Sequence, residues 1–148
     1  MTAAATPREV VRHLLSLTAE GPAEEMADVF AVDAVFEMPF LPPGTPAQEP
    51  GREAFRAHLR LGATMQKHDS LDHVRIHGTD DDPELVVAEY RLHGRILATG
   101  KRFALDIVMF ARVQDGLITW LRTYSDPLAA LIAFDAAEDA LAALADTA

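Results

Sequence analysis

Residues 103–127 read FALDIVMFARVQDGLITWLRTYSDP, and this stretch decides the fold. Positions 103–113 are apolar almost throughout, 117–125 form a second strand, and Gln114-Asp115-Gly116 suits a three-residue hairpin whose glycine takes the left-handed position. The two strands are therefore antiparallel neighbours. An antiparallel strand that is apolar on both faces has to bury both. One face can meet helices and the other needs a second sheet, which predicts a homodimer packed through the sheet. Asp126-Pro127, a capping residue followed by proline, then opens a short helix over 127–134.

Working upstream, residues 71–78 and 84–97 also read as strands, bounded by Asp80-Asp81-Asp82-Pro83 and by Thr99-Gly100. A two-residue turn at Thr99-Gly100 sets Tyr90 opposite Met109 and Leu92 opposite Ile107; the Gln114–Gly116 turn sets Met109 opposite Leu121. One face is then Val86, Ala88, Tyr90, Leu92, Phe103, Leu105, Ile107, Met109, Leu121, Thr123 and Ser125. The other carries Glu89, Arg91, His93, Arg95, Asp106, Val108, Phe110, Arg112, Trp120, Arg122 and Tyr124, with His93 opposite Asp106. An error of one residue in either turn moves a strand's side chains to the opposite face.

The amino-terminal half is helical. Thr6-Pro7-Arg8-Glu9 has the form of a capping box with proline at the first helical position, and the apolar run from Val10 to Leu17 ends at Gly21-Pro22. A short helix follows over about 23–30, and a strand over 31–40 (AVDAVFEMPF), in which Glu37 faces away from the Met38 side. Residues 51–66 form a third helix with Phe55, Leu59 and Gly62 on one face and Arg52, Arg56 and Arg60 on another. The tail, 135–148, is Ala-rich and helix-prone, outside the compact domain of 6–134. Helices first and antiparallel strands after predict an α+β fold, helices packed on one face of a curved, mainly antiparallel sheet.

Composition narrows the function. The 148 residues carry 13 Lys+Arg against 23 Asp+Glu and no basic stripe, which disfavours nucleic acid and anionic membranes as partners. The absence of cysteine removes thiolate nucleophiles, disulfides and Cys-ligated metal centres. Neither a membrane-length apolar run nor an amino-terminal signal core is present, so the expected location is cytoplasmic. His73 and His77 share a strand face but stand ~13 Å apart, too far to ligate one ion. Gly94 to Gly100-Lys101 has the wrong spacing for a phosphate loop and is a hairpin turn.

The order of elements, with AVDAVFEMPF, PGREAFRAHL and FALDIVMFARV-QDG-LITWLRTYSDPLAAL, resembles the nuclear transport factor 2-like superfamily. Within it, the chain is most similar to the SnoaL-like, ketosteroid isomerase-related group. Its PhzA/PhzB branch is similar over 81–134. The resemblance implies a cone-shaped α+β barrel, a dimer through the sheet, a deep apolar pocket, and cyclase or isomerase chemistry on a hydrophobic, ketone-bearing molecule without metal or organic cofactor. It also implies where acids should stand, and this sequence lacks them. Met38 occupies the position of the isomerase's aspartate base, Met109 that of its protonated aspartate, and Thr123 that of the PhzA/PhzB acid. Leu14, Phe30 and Leu59 fall near the isomerase's tyrosines. Steroid isomerase chemistry is thereby excluded, because methionine and threonine cannot move protons near neutrality.

Two candidate catalysts remain. Tyr90, central on the inner face, can donate to an oxyanion or ketone, although a core tyrosine bonded to backbone is the competing role. His58, one turn from Phe55, can act as acid or base, against a role as a hydrogen-bonded helix histidine. The expected substrate lining is Phe36, Met38, Phe40, Leu59, Leu105, Ile107, Met109, Leu121, Thr123 and Ser125. Beside the enzyme stands a second reading: a binding protein of the same fold that has lost its acid–base groups.

Overall fold

A computed structural model describes residues 5–42 and 44–147. The amino-terminal MTAA, read above as lacking a signal core, lies outside the described residues with Pro43 and Ala148. Helix α1 (Pro7–Thr18) starts at the capping box: the Glu9 N–H donates to Thr6 Oγ1 at 3.2 Å and the Thr6 N–H to Glu9 Oε2 at 3.3 Å. The segment after it is a 3-10 turn, Glu24–Val29. Strand β1 (Phe30–Glu37), helix α2 (Arg52–Gly62) and strands β2 (Gln66–Gly78), β3 (Leu85–Ile96), β4 (Arg102–Gln114) and β5 (Leu117–Ser125) follow, then helices α3 (Pro127–Ala133) and α4 (Ala137–Thr147). Helix α2 is shorter than the sequence suggested and β2 begins earlier, at Gln66.

The five strands form one open mixed sheet in the order β1-β5-β4-β3-β2, with β1 parallel to β5 and the other pairs antiparallel. This is the expected α+β architecture of helices on a curved sheet. The core lies between α1, α2 and the inner sheet face, centred on Val11, Phe30, Val86 and Ile118.

Both hairpin registers differ from expectation by two residues. Tyr90 pairs with Ile107 and Leu92 with Leu105, because the β3–β4 loop holds four residues, Leu97–Gly100. The Ile96 N–H donates to the Lys101 carbonyl at 2.8 Å, and only Gly100 in that loop takes a positive φ, of 73°. A two-residue turn needs positive φ at both central positions, which β-branched Thr99 resists. At β4–β5 the turn has two residues, Asp115 and Gly116 at φ 52° and 79°. A bulge between Arg112 and Val113 adds a further residue, so Met109 pairs with Thr123. Each slip is even, so the inner and outer face assignments hold although the partners change. His93 consequently meets Asp72, at 2.9 Å, and Asp106 is paired with Arg91 at 2.8 Å.

Candidate functional site

Helix α2 is fixed on two sides, which determines where its third side points. Arg56 bonds to Asp28 at 2.6 Å, to the Glu24 carbonyl at 3.0 Å and to Glu53 at 3.1 Å, while Arg60 meets Glu24 at 2.7 Å. On the sheet side Leu59 is buried and Phe55 packs on Phe36 and Phe30, with ring centroids 4.5 and 5.0 Å away. The remaining stripe is Ala54, Ala57 and His58, spaced at i, i+3 and i+4. It lines a cavity of about 750 Å³.

The opposite walls come from the proline-rich connection between β1 and α2 and from α3. Met38, Leu41, Pro42, Pro46, Ala47, Ala130, Leu131 and Phe134 supply apolar surface, and Thr45, Gln48 and Glu49 supply the polar groups. Gly51 closes the connection: its N–H donates to the Ala34 carbonyl at 2.8 Å, and its φ of 105° favours glycine. The start of α2 is thereby pinned to the edge of β1, with loop 45–49 over the cavity. The size is within the range of small-molecule pockets, and the lining is mostly apolar with few polar groups. His58 is exposed to this space and stacks on Phe55 at 6.5 Å between centroids.

Tyr90 is placed differently. It is 8% exposed in the centre of the inner face, and burial alone pushes its phenol well above the ordinary range, so it is a donor and not a base. Among the described residues its hydroxyl has no hydrogen-bond partner, yet it is not sealed off. Tyr90 does not line the His58 cavity. The two candidate catalysts therefore occupy different parts of the cone.

The expected lining divides similarly. Leu59 on α2 and Ile107 and Met109 on the inner sheet face are buried in the core, Phe36, Leu105, Leu121, Thr123 and Ser125 are half-buried, and none of these eight lines the His58 cavity. Met38 is in the cavity wall. Phe40 packs edge-on against Tyr124 at 5.4 Å and turns toward the outer face. The carboxylate in the cavity, Glu49, was missed by the sequence reading, because AQEPG carries no periodicity that would orient it.

Comparison with known proteins shows the family of the chain. The model of the SnoaL-like domain matches residues 11–121. An uncharacterised PhzA/B-like protein of Pseudomonas aeruginosa is 31% identical over 139 residues, spanning 90% of this chain and 93% of that protein. The chain belongs to the SnoaL-like family. Solved structures place this SnoaL-like chain in the nuclear transport factor 2-like fold. A candidate isomerase from Bacillus subtilis superposes with a TM-score of 0.79 at 23% identity, covering 86% of this chain and 91% of that one. A candidate polyketide cyclase from Pseudomonas putida gives 0.73 at 16% identity, covering 87% and 98%. Among the described residues no helix is long and apolar enough to cross a membrane.

Proposed function

We propose that this SnoaL-like protein binds a hydrophobic, ketone-bearing small molecule and acts on it as a cyclase or isomerase without metal or organic cofactor. The observation that carries this reading is the cavity of about 750 Å³, apolar on most of its walls and with an imidazole, His58, at its edge. Apolar walls can take up the body of such a ligand, and an imidazole is a group able to give or take a proton. His58 is assigned proton transfer within the cavity. Tyr90 lies outside this cavity, so the reading with Tyr90 and His58 acting together on one ligand is set aside and His58 carries the proposal.

A panel of polyketide-like and steroid-like ketones tests this directly. Binding with turnover supports the enzyme, and His58→Asn should lower turnover by about 10²-fold or more, the scale of one lost acid–base group. Tyr90→Phe, outside the cavity, should leave turnover unchanged; a loss of turnover would mean that the ligand reaches the sheet. A second reading, a carrier or sensor, is favoured by one observation: Met38 in the cavity wall, buried Met109 and half-buried Thr123 stand where relatives are expected to carry acids. Binding of the panel without turnover supports that alternative.

A further inference from the structure

The cavity holds two titratable side chains among its lining residues, and only one has so far been given a role. His58 comes from α2; the other is Glu49, from the loop that crosses above it. We propose that Glu49 is the general base of this site, an inference that rests on the catalytic reading above. Glu49 and Met38 line the same cavity. Met38, just past the end of β1, brings no titratable group to this wall, and Glu49, eleven residues further along the chain, brings a carboxylate.

Three features fit the role. Among the described residues the Glu49 carboxylate has neither an ion pair nor a side-chain hydrogen bond, so no cation competes for its lone pairs. The nearby Arg52 is instead engaged by Glu53 at 3.3 Å. Gln48 and Thr45 line the cavity beside it, and the Gln48 amide donates to the Glu49 carbonyl at 3.0 Å, which ties the loop together next to the carboxylate. An ionised carboxylate is an acceptor only, the correct polarity for removing a proton.

The step balances without a co-reactant. The Glu49 carboxylate takes a proton from a carbon adjacent to the ketone. The C–H electron pair becomes the enolate double bond, and the carbonyl π pair moves onto oxygen, where a donor such as the His58 N–H can meet it. Return of the proton from the Glu49 carboxylic acid to a different carbon completes an isomerisation. The ligand class is accordingly a neutral, enolisable ketone on an apolar ring system, whose uncharged body suits the apolar walls.

β-Tetralone, an enolisable bicyclic ketone, and β-naphthol, which resembles its enol, provide the probes. Proton NMR in deuterium oxide reads exchange beside the carbonyl, and fluorescence reads naphthol binding. The full chain should accelerate exchange over buffer. Glu49→Gln should lose at least about ten-fold of that acceleration with naphthol affinity nearly unchanged, Glu49→Asp should keep part of it, and Glu138→Gln, on α4, should match the parent chain. Exchange by Glu49→Gln at the parent rate overturns the proposal and leaves the catalytic reading with His58. Loss of naphthol binding together with exchange makes Glu49 a binding residue and also overturns it. Naphthol binding by the parent chain with no acceleration overturns the catalytic reading and this proposal together.

Discussion

His68 shows how one buried side chain couples the helices to the sheet. It sits at the start of β2, is 8% exposed, and its Nδ1 lies 2.7 Å from the Thr18 carbonyl at the end of α1, so Nδ1–H donates. Burial lowers its pKa, the adjacent Lys67 adds to that, and the Thr18 bond and Asp69 oppose it only in part. The unfolded chain therefore binds the proton more readily than the folded one. Stability from this group is complete above the ordinary histidine value of about 6.5 and declines as pH falls from there toward the lowered folded value. Thermal midpoints measured at about pH 7.5 and 5.5 should fall with acidification, and fall less in His68→Gln. His68→Ala should cost about 1–3 kcal/mol at neutral pH, through loss of a buried bond. Little of this was legible beforehand. A histidine in QKHDSLDH has no visible partner until the chain brings Thr18 across 50 positions, and the place of Glu49 in the cavity wall was hidden for the same reason: long-range placement, not residue type, sets the surroundings of both groups.

At the scale of elements, the inner sheet face was legible because side chains alternate with a period of two, and both register slips were even. The loop lengths were not, since Thr99-Gly100 and Gln114-Asp115-Gly116 each permit several turns and the bulge at Arg112 leaves no mark in composition. The slip has a physical consequence at Gly94. It faces Phe103 across the β3–β4 ladder. A Cβ added there would stand 2.5 Å from Phe103 Cζ and 2.8 Å from the Lys67 carbonyl oxygen. The ring can swing away, but the carbonyl belongs to the β2 backbone and moves only with its strand. Gly94→Ala should therefore destabilise by about 1–3 kcal/mol, read by denaturant unfolding, as overpacking against backbone does. Gly116→Ala makes a useful comparison: nothing lies within 4 Å of its Cβ, but φ is +79°, so its cost is conformational strain alone.

On the scale of the whole molecule, the outer sheet face decides whether one chain is the functional unit. Val108, Phe110, Trp120 and Tyr124 form a half-buried band across β4 and β5, with Phe110 and Tyr124 edge-on at 6.0 Å. Arg122 lies over Trp120 at 5.0 Å and bonds to Glu37 at 2.7 Å. The Trp120 indole and Arg122 together hold the Glu37 carboxyl below its usual range. Around the band the polar side chains already meet partners within the chain, Arg91 with Asp106, His93 with Asp72 at 2.9 Å and His77 with Glu89 at 2.7 Å. A surface whose polar groups already have partners loses less on desolvation than one with free ions, and an aromatic centre with a polar rim is the usual anatomy of a protein interface. We therefore propose a second copy of this chain as the partner on this face. Sedimentation at micromolar concentration should give twice the 16.1 kDa chain mass. Phe110→Glu puts an unpaired charge in the centre of the band and should shift the mass to that of one chain with the circular dichroism spectrum preserved. A parent chain that sediments as a monomer overturns the dimer. The His58 cavity opens on the helical side of the sheet, so the Phe110→Glu monomer should bind β-naphthol as the parent chain does; a parallel loss of binding would mean that the second copy helps to shape the cavity.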